Sequence, residues 1–299
     1  MIYTVTLNPA LDYAVYLSEM VVGGTNRTAR EALSFGGKGI NVSAVLASLG
    51  EPTVALGFVA GATGSMLREL LAAAAVGEEL ITLPSGATRI NIKIKADRET
   101  EINAAGPAID EASLDRLLAQ LNRLKAGDTL VLAGSVPPSL PRDIYKRMAE
   151  IAVARGVRLV VDAERDLLLP ILSYRPFFIK PNRAELSGIV GRPLSTDEEI
   201  EAAARELQAA GAQNVLVSLG GDGALLLDAE GRVHRAAALR GQAVNTVGAG
   251  DSMVAGFLYG ISKGYAYALR MGTAAGAATA FGEGLADAGS IYALLEQNG

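Results

Sequence analysis

The chain has 299 residues, half of them hydrophobic, with 34 glycines, no cysteine, one histidine and a formal charge of 27 − 32 = −5 at pH 7. That length supports one main domain with a small appendage, and an acidic balance without basic blocks argues against nucleic-acid or anionic-membrane partners. The lack of cysteine excludes disulfides, thiolate chemistry and Cys-ligated metals, and it fits a reducing cytoplasm.

The chain opens on a strand-like run, Ile2–Leu7, without the basic start of a signal peptide. Further strands are predicted at Thr53–Phe58, Thr129–Ala133, Arg158–Val161, Phe177–Ile179 and Val215–Ser218. Helical periodicity falls between them, at Ile40–Leu49, Met66–Ala75, Ala112–Leu124, Arg142–Ala154 and Glu198–Ala210. Continuous apolar strands alternating with amphipathic helices predict an α/β layered fold around a parallel sheet. A hairpin at Leu225–Asp228 and Val233–Ala236 follows, and from Ala249 the tail reads as helix. The longest uncharged run, Pro52–Leu67, is broken by glycines and too short to span a membrane. There are no internal repeats and no low-complexity linker.

Two segments depart from this scheme. Leu11–Ser34 reads as extended chain with a turn at Gly23-Gly24. Thr88–Asn103 alternates, with Ile90, Ile92 and Ile94 on one face and Arg89, Asn91, Lys93 and Lys95 on the other, before a turn at Asp97-Arg98-Glu99. Together they predict a small antiparallel sheet inserted into the α/β body. Its apolar face needs cover and could pair two subunits; its positive face could meet an anion, although an edge hairpin with solvated lysines gives the same pattern.

The lone histidine, in Gly231-Arg232-Val233-His234-Arg235, is expected exposed on an edge strand. Ser-His-Asp and Cys-His hydrolysis and His-rich zinc sites are thereby disfavoured, which leaves a carboxylate as the base of any enzyme here.

Asn245-Thr246-Val247-Gly248-Ala249-Gly250-Asp251-Ser252 runs into the apolar Met253-Val254-Ala255-Gly256-Phe257-Leu258. Small residues leading into a helix free its first N–H groups to hold an anion, and the helix dipole assists. A carboxylate in that turn would repel the anion, unless it takes a proton from a hydroxyl attacking a phosphoryl group. A simple helix cap at Asp251 accounts for the pattern equally well. At a helix start its charged form is expected to be favoured.

A second cluster, Phe35-Gly36-Gly37-Lys38-Gly39-Ile40-Asn41-Val42, lets backbone approach a ligand closely, but it is neither a Walker A loop nor a dinucleotide fingerprint. Lys38 taken singly reads as a solvated lysine, and Asn41 could turn its amide to a sugar hydroxyl. Lys180-Pro181-Asn182-Arg183-Ala184-Glu185 carries Asn182 and Glu185 on one side of a helix start. That spacing is a capping box, or a pair placed near a metal–phosphate complex at the carboxyl end of the sheet. Ser218-Leu219-Gly220-Gly221-Asp222-Gly223 could run under a nucleotide, and Asp12, at the end of the first strand, could hold sugar hydroxyls or form an Asx turn.

The ordered set is far more specific than its members. T-L-N-P-A-L-D, G-G-K-G-I-N, P-N-x-x-E and N-T-V-G-A-G-D-S, in this order over essentially the whole chain, resemble the ribokinase/phosphofructokinase-B sugar kinase superfamily. Thr88–Ile94 and Glu99–Pro107 look most like its 1-phosphofructokinase branch, with the tagatose-6-phosphate kinases as near relatives. The resemblance implies a Rossmann-like α/β domain with a β-sheet lid, here one domain over 1–299 with lid segments 11–34 and 88–103. It implies Asp251 as catalytic base and the backbone of Gly248, Ala249 and Gly250 as anion hole. Asp12, Gly37, Lys38 and Asn41 would hold the sugar, and Arg89, with Arg27 and Lys93, its phosphate. Asn182 and Glu185 would organise Mg²⁺, through water, and the ATP phosphates; Ser218, Gly220 and Gly223 would line the nucleotide site. The implied reaction is ATP-dependent phosphorylation of D-fructose 1-phosphate at its 6-hydroxyl in a cytoplasmic homodimer joined through the lid. The alternatives are tagatose 6-phosphate or fructose 6-phosphate phosphorylated at C1, and a non-catalytic sugar-phosphate-binding regulator. The turn Gly57–Gly64 is looser than the family's glycine-rich turn there.

Overall fold

The computed structural model describes residues 1–297. The strands are β1 (Ile2–Thr6), β2 (Ala10–Tyr16), β3 (Arg30–Gly36), β4 (Thr53–Val59), β5 (Gly77–Glu78), β6 (Ile81–Thr82), β7 (Arg89–Lys95), β8 (Thr100–Ile102), β9 (Thr129–Ala133), β10 (Arg158–Asp162), β11 (Phe178–Ile179), β12 (Asn214–Ser218), β13 (Ala224–Leu227) and β14 (Val233–Ala236). The helices are α1 (Lys38–Ser48), α2 (Gly61–Ala73), α3 (Glu111–Leu121), α4 (Ile144–Ala154), α5 (Arg165–Leu168), α6 (Arg183–Val190), α7 (Asp197–Ala209), α8 (Ala249–Gly260), α9 (Tyr265–Phe281) and α10 (Ala288–Gln297).

A large sheet runs in the order β14-β13-β12-β11-β10-β9-β1-β4-β5, with β6 also on β4. Its strands pair in parallel except β13 and β14, the hairpin at one edge. Alternation along the central strands divides the core. Leu130 and Leu132 of β9 pack with residues of α3, α4, α6 and α7, whereas Val131 and Ala133 pack with residues of α1, α8 and α9. Both faces are therefore covered, as a parallel sheet requires. The Phe178 and Phe257 rings stack across the second layer with centroids 4.2 Å apart.

Helix starts follow local chemistry. Thr196 with Glu199 and Asn182 with Glu185 each form a reciprocal capping box. Helix α2 begins at Gly61, five residues before the expected Met66. Gly61 and Gly64 are poor helix formers and hid that first turn, while Thr63 Oγ1 donates to Thr88 O at 2.8 Å and pins it to the start of β7.

The two segments that broke the pattern form a separate four-stranded sheet, β3-β2-β7-β8. It is mixed rather than purely antiparallel: β2 and β7 run parallel, since they are joined not by a hairpin but by a long crossover that contains β3 to β6. Asp12, expected at the end of the first strand, lies inside β2, opposite Asn91. The two faces differ as predicted in kind. Asp12, Asn91 and Lys93 face a cavity, while Leu33, Ile90 and Ile102 are 40%, 42% and 54% exposed on the outside.

His234 lies on the edge strand β14 but is not free. Its Nε2 stands 2.7 Å from Asp228 Oδ2, and Arg232 Nε is 3.0 Å from the same oxygen. Burial works to raise the Asp228 carboxyl, yet hydrogen bonds from His234 and Arg232 hold it below its ordinary value. The cluster closes the hairpin and stands outside the cavity.

Candidate active site

The carboxyl ends of β1, β9, β10, β11 and β12 and the polar face of the small sheet enclose a cavity of about 520 Å³. Helices α1 and α8 begin there, so two helix N-termini converge on one space. Gly37, the N-cap of α1, has φ 122°, and a Cβ there would stand 2.6 Å from Thr6 Cγ2. Only glycine lets this turn approach β1 so closely.

Asp251 sits in the first turn of α8, 5% exposed. Its side chain does not cap the helix: Gly248 is the N-cap, in left-handed conformation, and no side-chain capping bond is made. Instead Asp251 Oδ2 accepts a hydrogen bond from Asn41 Nδ2 at 2.8 Å. Asn41 was expected to reach for a sugar hydroxyl; although it lines the cavity, its amide serves the carboxylate, since a buried carboxylate needs a donor.

The expectation of a favoured carboxylate at the helix start is overturned. Burial, followed by the negative charge of Asp162, pushes the Asp251 carboxyl up to about 7. The Asn41 hydrogen bond and the Lys38 and Lys180 ammoniums pull the other way without cancelling the desolvation. Asp251 is thus poised to exchange a proton near neutrality.

The N–H groups of the Gly248–Gly250 turn are not equivalent. Ala249 N–H donates to Thr246 O at 3.2 Å, and Ser252 N–H donates to Gly248 O at 2.9 Å. This leaves the Gly248, Gly250 and Asp251 N–H groups without a backbone acceptor among the described residues, and Gly248, expected in the anion hole, lines the charged cavity. Ala249, expected to be a donor of the anion hole, is spent in its own turn and lines a neighbouring cavity instead.

A row of charges crosses the floor. Asp162, 3% exposed at the end of β10, stands 3.5 Å from Lys38 Nζ and 3.4 Å from Lys180 Nζ. Burial works against the Lys38 ammonium, but Asp162, Asp251 and Glu185 outweigh it and raise its pKa. On the small-sheet side, Asp12 Oδ1 accepts from Asn91 Nδ2 at 2.9 Å, and Asp12 Oδ2 pairs with Lys93 at 3.1 Å. Lys93 is thus committed to Asp12. Arg89 donates Nε to Asn8 O at 3.1 Å and Nη1 to Ala104 O at 3.3 Å, and burial lowers its pKa.

Asn182 and Glu185 also line the cavity, and their capping box is real. Asn182 Oδ1 accepts from Glu185 N–H, and Glu185 Oε2 accepts from Asn182 N–H, both at 2.8 Å. The other Glu185 oxygen is not part of that box. Ser218 borders both this cavity and a second one of about 620 Å³, which Gly220, Gly223, Leu239, Met253 and Phe281 line. Gly250 borders both as well.

Arg27 is the one expected site residue that the fold leaves away from both cavities. It is exposed in the turn between β2 and β3. That turn lies beyond the paired ends of the two strands, so its cation does not reach the floor of its own chain. Sequence reasoning missed Asp162, Lys180 and Asn91. Lys180 stood in a motif already singled out, and Asp162 ends a strand where ligands of open α/β sheets bind, so both carried a usable signal.

Comparison with known proteins gives one consistent answer. The model of the pfkB family of carbohydrate kinases matches residues 5–290. A 1-phosphofructokinase of Bacillus subtilis is 43% identical over 299 residues, 99% of this chain and 98% of its own. A D-tagatose-1-phosphate kinase of Bacillus licheniformis is 39% identical over 300 residues, 99% of this chain and 98% of its own. Among solved structures, Escherichia coli phosphofructokinase-2 in complex with substrates and products superposes with a TM-score of 0.93 at 30% identity, covering 99% of both chains.

Proposed function

The chain belongs to the pfkB family of carbohydrate kinases, and we propose that it transfers the γ-phosphoryl group of ATP to the 6-hydroxyl of D-fructose 1-phosphate. The products are fructose 1,6-bisphosphate and ADP. The observation that carries this reading is the position of Asp251: a buried carboxyl in the first turn of α8, beside Gly250, which borders both cavities. The glycine-lined and apolar second cavity suits a nucleotide base, and the charged cavity suits a sugar phosphate.

In this mechanism Asp12 and the Gly37 backbone hold sugar hydroxyls, and Arg89 binds the existing phosphate. Lys93 acts through Asp12. Asp251 accepts the proton of the attacking hydroxyl while Gly250 N–H and its own N–H receive the phosphoryl oxygens. Positioning and charge neutralisation supply most of the acceleration. Among the described residues no three metal-ligating side chains cluster. This fits Mg²⁺, which keeps several waters and takes one or two carboxylates plus substrate phosphates. Glu185, through water, and Asn182 are the residues offered to it; when bound, the ion neutralises phosphate charge.

A coupled assay of ADP release tests the reading with D-fructose 1-phosphate, D-tagatose 1-phosphate and the two corresponding 6-phosphates. The highest kcat/KM is expected with fructose 1-phosphate. Release with none of the four leaves a binding regulator. Preference for a 6-phosphate reverses the orientation of the sugar. The second reading worth carrying is D-tagatose 1-phosphate, favoured by the tagatose kinase relative, which is named for the 1-phosphate rather than the 6-phosphate that the sequence suggested.

The raised Asp251 carboxyl gives a pH prediction. Only the ionised form accepts a proton, so kcat/KM falls about tenfold per pH unit once pH drops below about 7. A profile that stays flat well below neutrality removes Asp251 as base.

We also propose that the outer apolar face of the small sheet joins two copies of the chain in the cytoplasm. Leu33, Ile90 and Ile102 stand exposed on it, and an exposed apolar patch of this kind marks an interaction surface. Ile102→Lys is expected to shift the sedimenting species from dimer to monomer; a wild-type chain that sediments as monomer refutes the interface.

A further inference from the structure

We infer that Tyr145 is a positioning residue for the sugar phosphate: its buried hydroxyl holds the Gly134–Ser135 peptide so that the Ser135 N–H and hydroxyl are offered to the charged cavity. The inference rests on the kinase reading above and extends it into the core beneath the site.

Tyr145 stands in the first turn of α4 and is 1% exposed, packed in the same layer as Leu132 and Met148. A buried phenol hydroxyl requires a hydrogen-bond partner. Tyr145 Oη donates to Gly134 O at 3.1 Å, the one hydrogen bond it makes among the described residues. Burial, followed by the negative charge of Asp162, pushes the phenol up from its ordinary value. It therefore keeps its proton, and its role as donor, at neutral pH.

Gly134 directly follows β9, where the chain leaves the sheet beside the site. Its φ of 92° lies in the left-handed region that glycine adopts without strain. Its N–H donates to Asp162 O at 3.2 Å, and a Cβ built on it would stand 3.8 Å from Lys38 Cβ. The turn is thus tied to β10 and lies against the stem of a cavity lysine.

The carbonyl that Tyr145 holds belongs to the peptide that carries the Ser135 N–H. A trans peptide is planar, and its C=O and N–H point in opposite directions. Fixing the carbonyl on the Tyr145 hydroxyl therefore fixes the N–H on the far side, away from α4. Ser135 is exposed there and lines the charged cavity. Neither its N–H nor its Oγ finds a partner among the described residues. Two free donors on one residue suit an oxygen of the sugar phosphate, and donors held in place beforehand need less ordering when the ligand arrives.

Tyr145→Phe keeps the ring and removes only the hydroxyl, which frees the peptide to turn. The Kd of the sugar phosphate that the wild type binds most tightly, read by titration calorimetry, is expected to rise about 5–20-fold, and its KM likewise. The values of kcat and of the KM for ATP should stay within about threefold of wild type. Lower stability in urea with an unchanged sugar-phosphate Kd, or equal rises in both KM values, overturns the proposal. Ser135→Ala leaves the core untouched, so it stands in if Tyr145→Phe fails to fold. It is expected to raise the same Kd about 5–10-fold, and an unchanged Kd overturns the proposal. With both substitutions combined, the rise should fall at least about threefold short of the product of the two single rises, because both act at one peptide. A full product places the action of Tyr145 elsewhere and overturns the proposal. Calorimetry needs no turnover and separates two failures. A wild type that binds none of the four sugar phosphates overturns the kinase reading and this proposal together, whereas variants that bind as tightly as wild type overturn this proposal alone.

Discussion

Asp251→Asn is expected to lower kcat by roughly 10²–10⁴-fold while ATP binding stays within about threefold of wild type. The amide is nearly isosteric and keeps a polar group against Asn41, whose Nδ2 donates to Asp251 Oδ2 at 2.8 Å in the native protein. The free Gly250 and Asp251 N–H groups at the start of α8 would remain where they are, because the backbone of the turn is held by Ala249 N–H to Thr246 O. What disappears is the proton acceptor. Coupled-assay kcat with titration of ATP checks both halves, and unchanged turnover would falsify the assignment of Asp251 as base.

The same variant has an opposite effect on stability. The native Asp251 carboxyl titrates at about 7, against an ordinary value of 3.8. The folded state therefore holds a proton that the unfolded chain has lost, and wild-type stability declines as pH rises from about 4 to about 7. Asparagine does not ionise. Its stability advantage in urea unfolding should grow across that window and level off above it; an advantage that shrinks with rising pH contradicts the burial argument.

Arg89→Ala is expected to raise the KM for the sugar phosphate about 10–100-fold, from the loss of charge-assisted hydrogen bonds to a phosphate. The KM for ATP should move by less than about threefold, since uniform binding of one substrate is removed. Arg89 is suited to the role because two backbone carbonyls, Asn8 O and Ala104 O, fix its guanidinium without neutralising it. Lys93, on the same face, is already neutralised by Asp12 at 3.1 Å. Those carbonyl contacts also join β7 to two loops. Equal rises in both KM values would therefore identify Arg89 as a structural tie instead.

The sequence carried the layered α/β body because its strands are apolar on both faces and its helices on one. β9 reads Thr129-Leu130-Val131-Leu132-Ala133 with every residue buried, and it feeds two different packing layers. The small sheet was legible for the opposite reason, since its alternation of isoleucine with Arg89, Asn91 and Lys93 marks a sheet wet on one face. Motif order carried the family, and with it every residue that lines the charged cavity among those expected there.

Three things were decided by tertiary contact alone. The protonation of Asp251 depends on Asp162, 89 residues away in sequence (251 − 162) and on another element, and on burial that no local pattern reports. The division of labour among the cations depends on which carboxylate each one meets: Lys93 on Asp12, Lys38 and Lys180 on Asp162, and Arg89 on backbone. Arg27 shares the charge that suggested a phosphate ligand, but the turn carrying it lies away from the cavity of its own chain. Spacing along the chain states which groups a site can draw upon. Electrostatic energy depends on distance and solvent exposure in three dimensions, so only the folded arrangement states which of those groups are charged, paired or free.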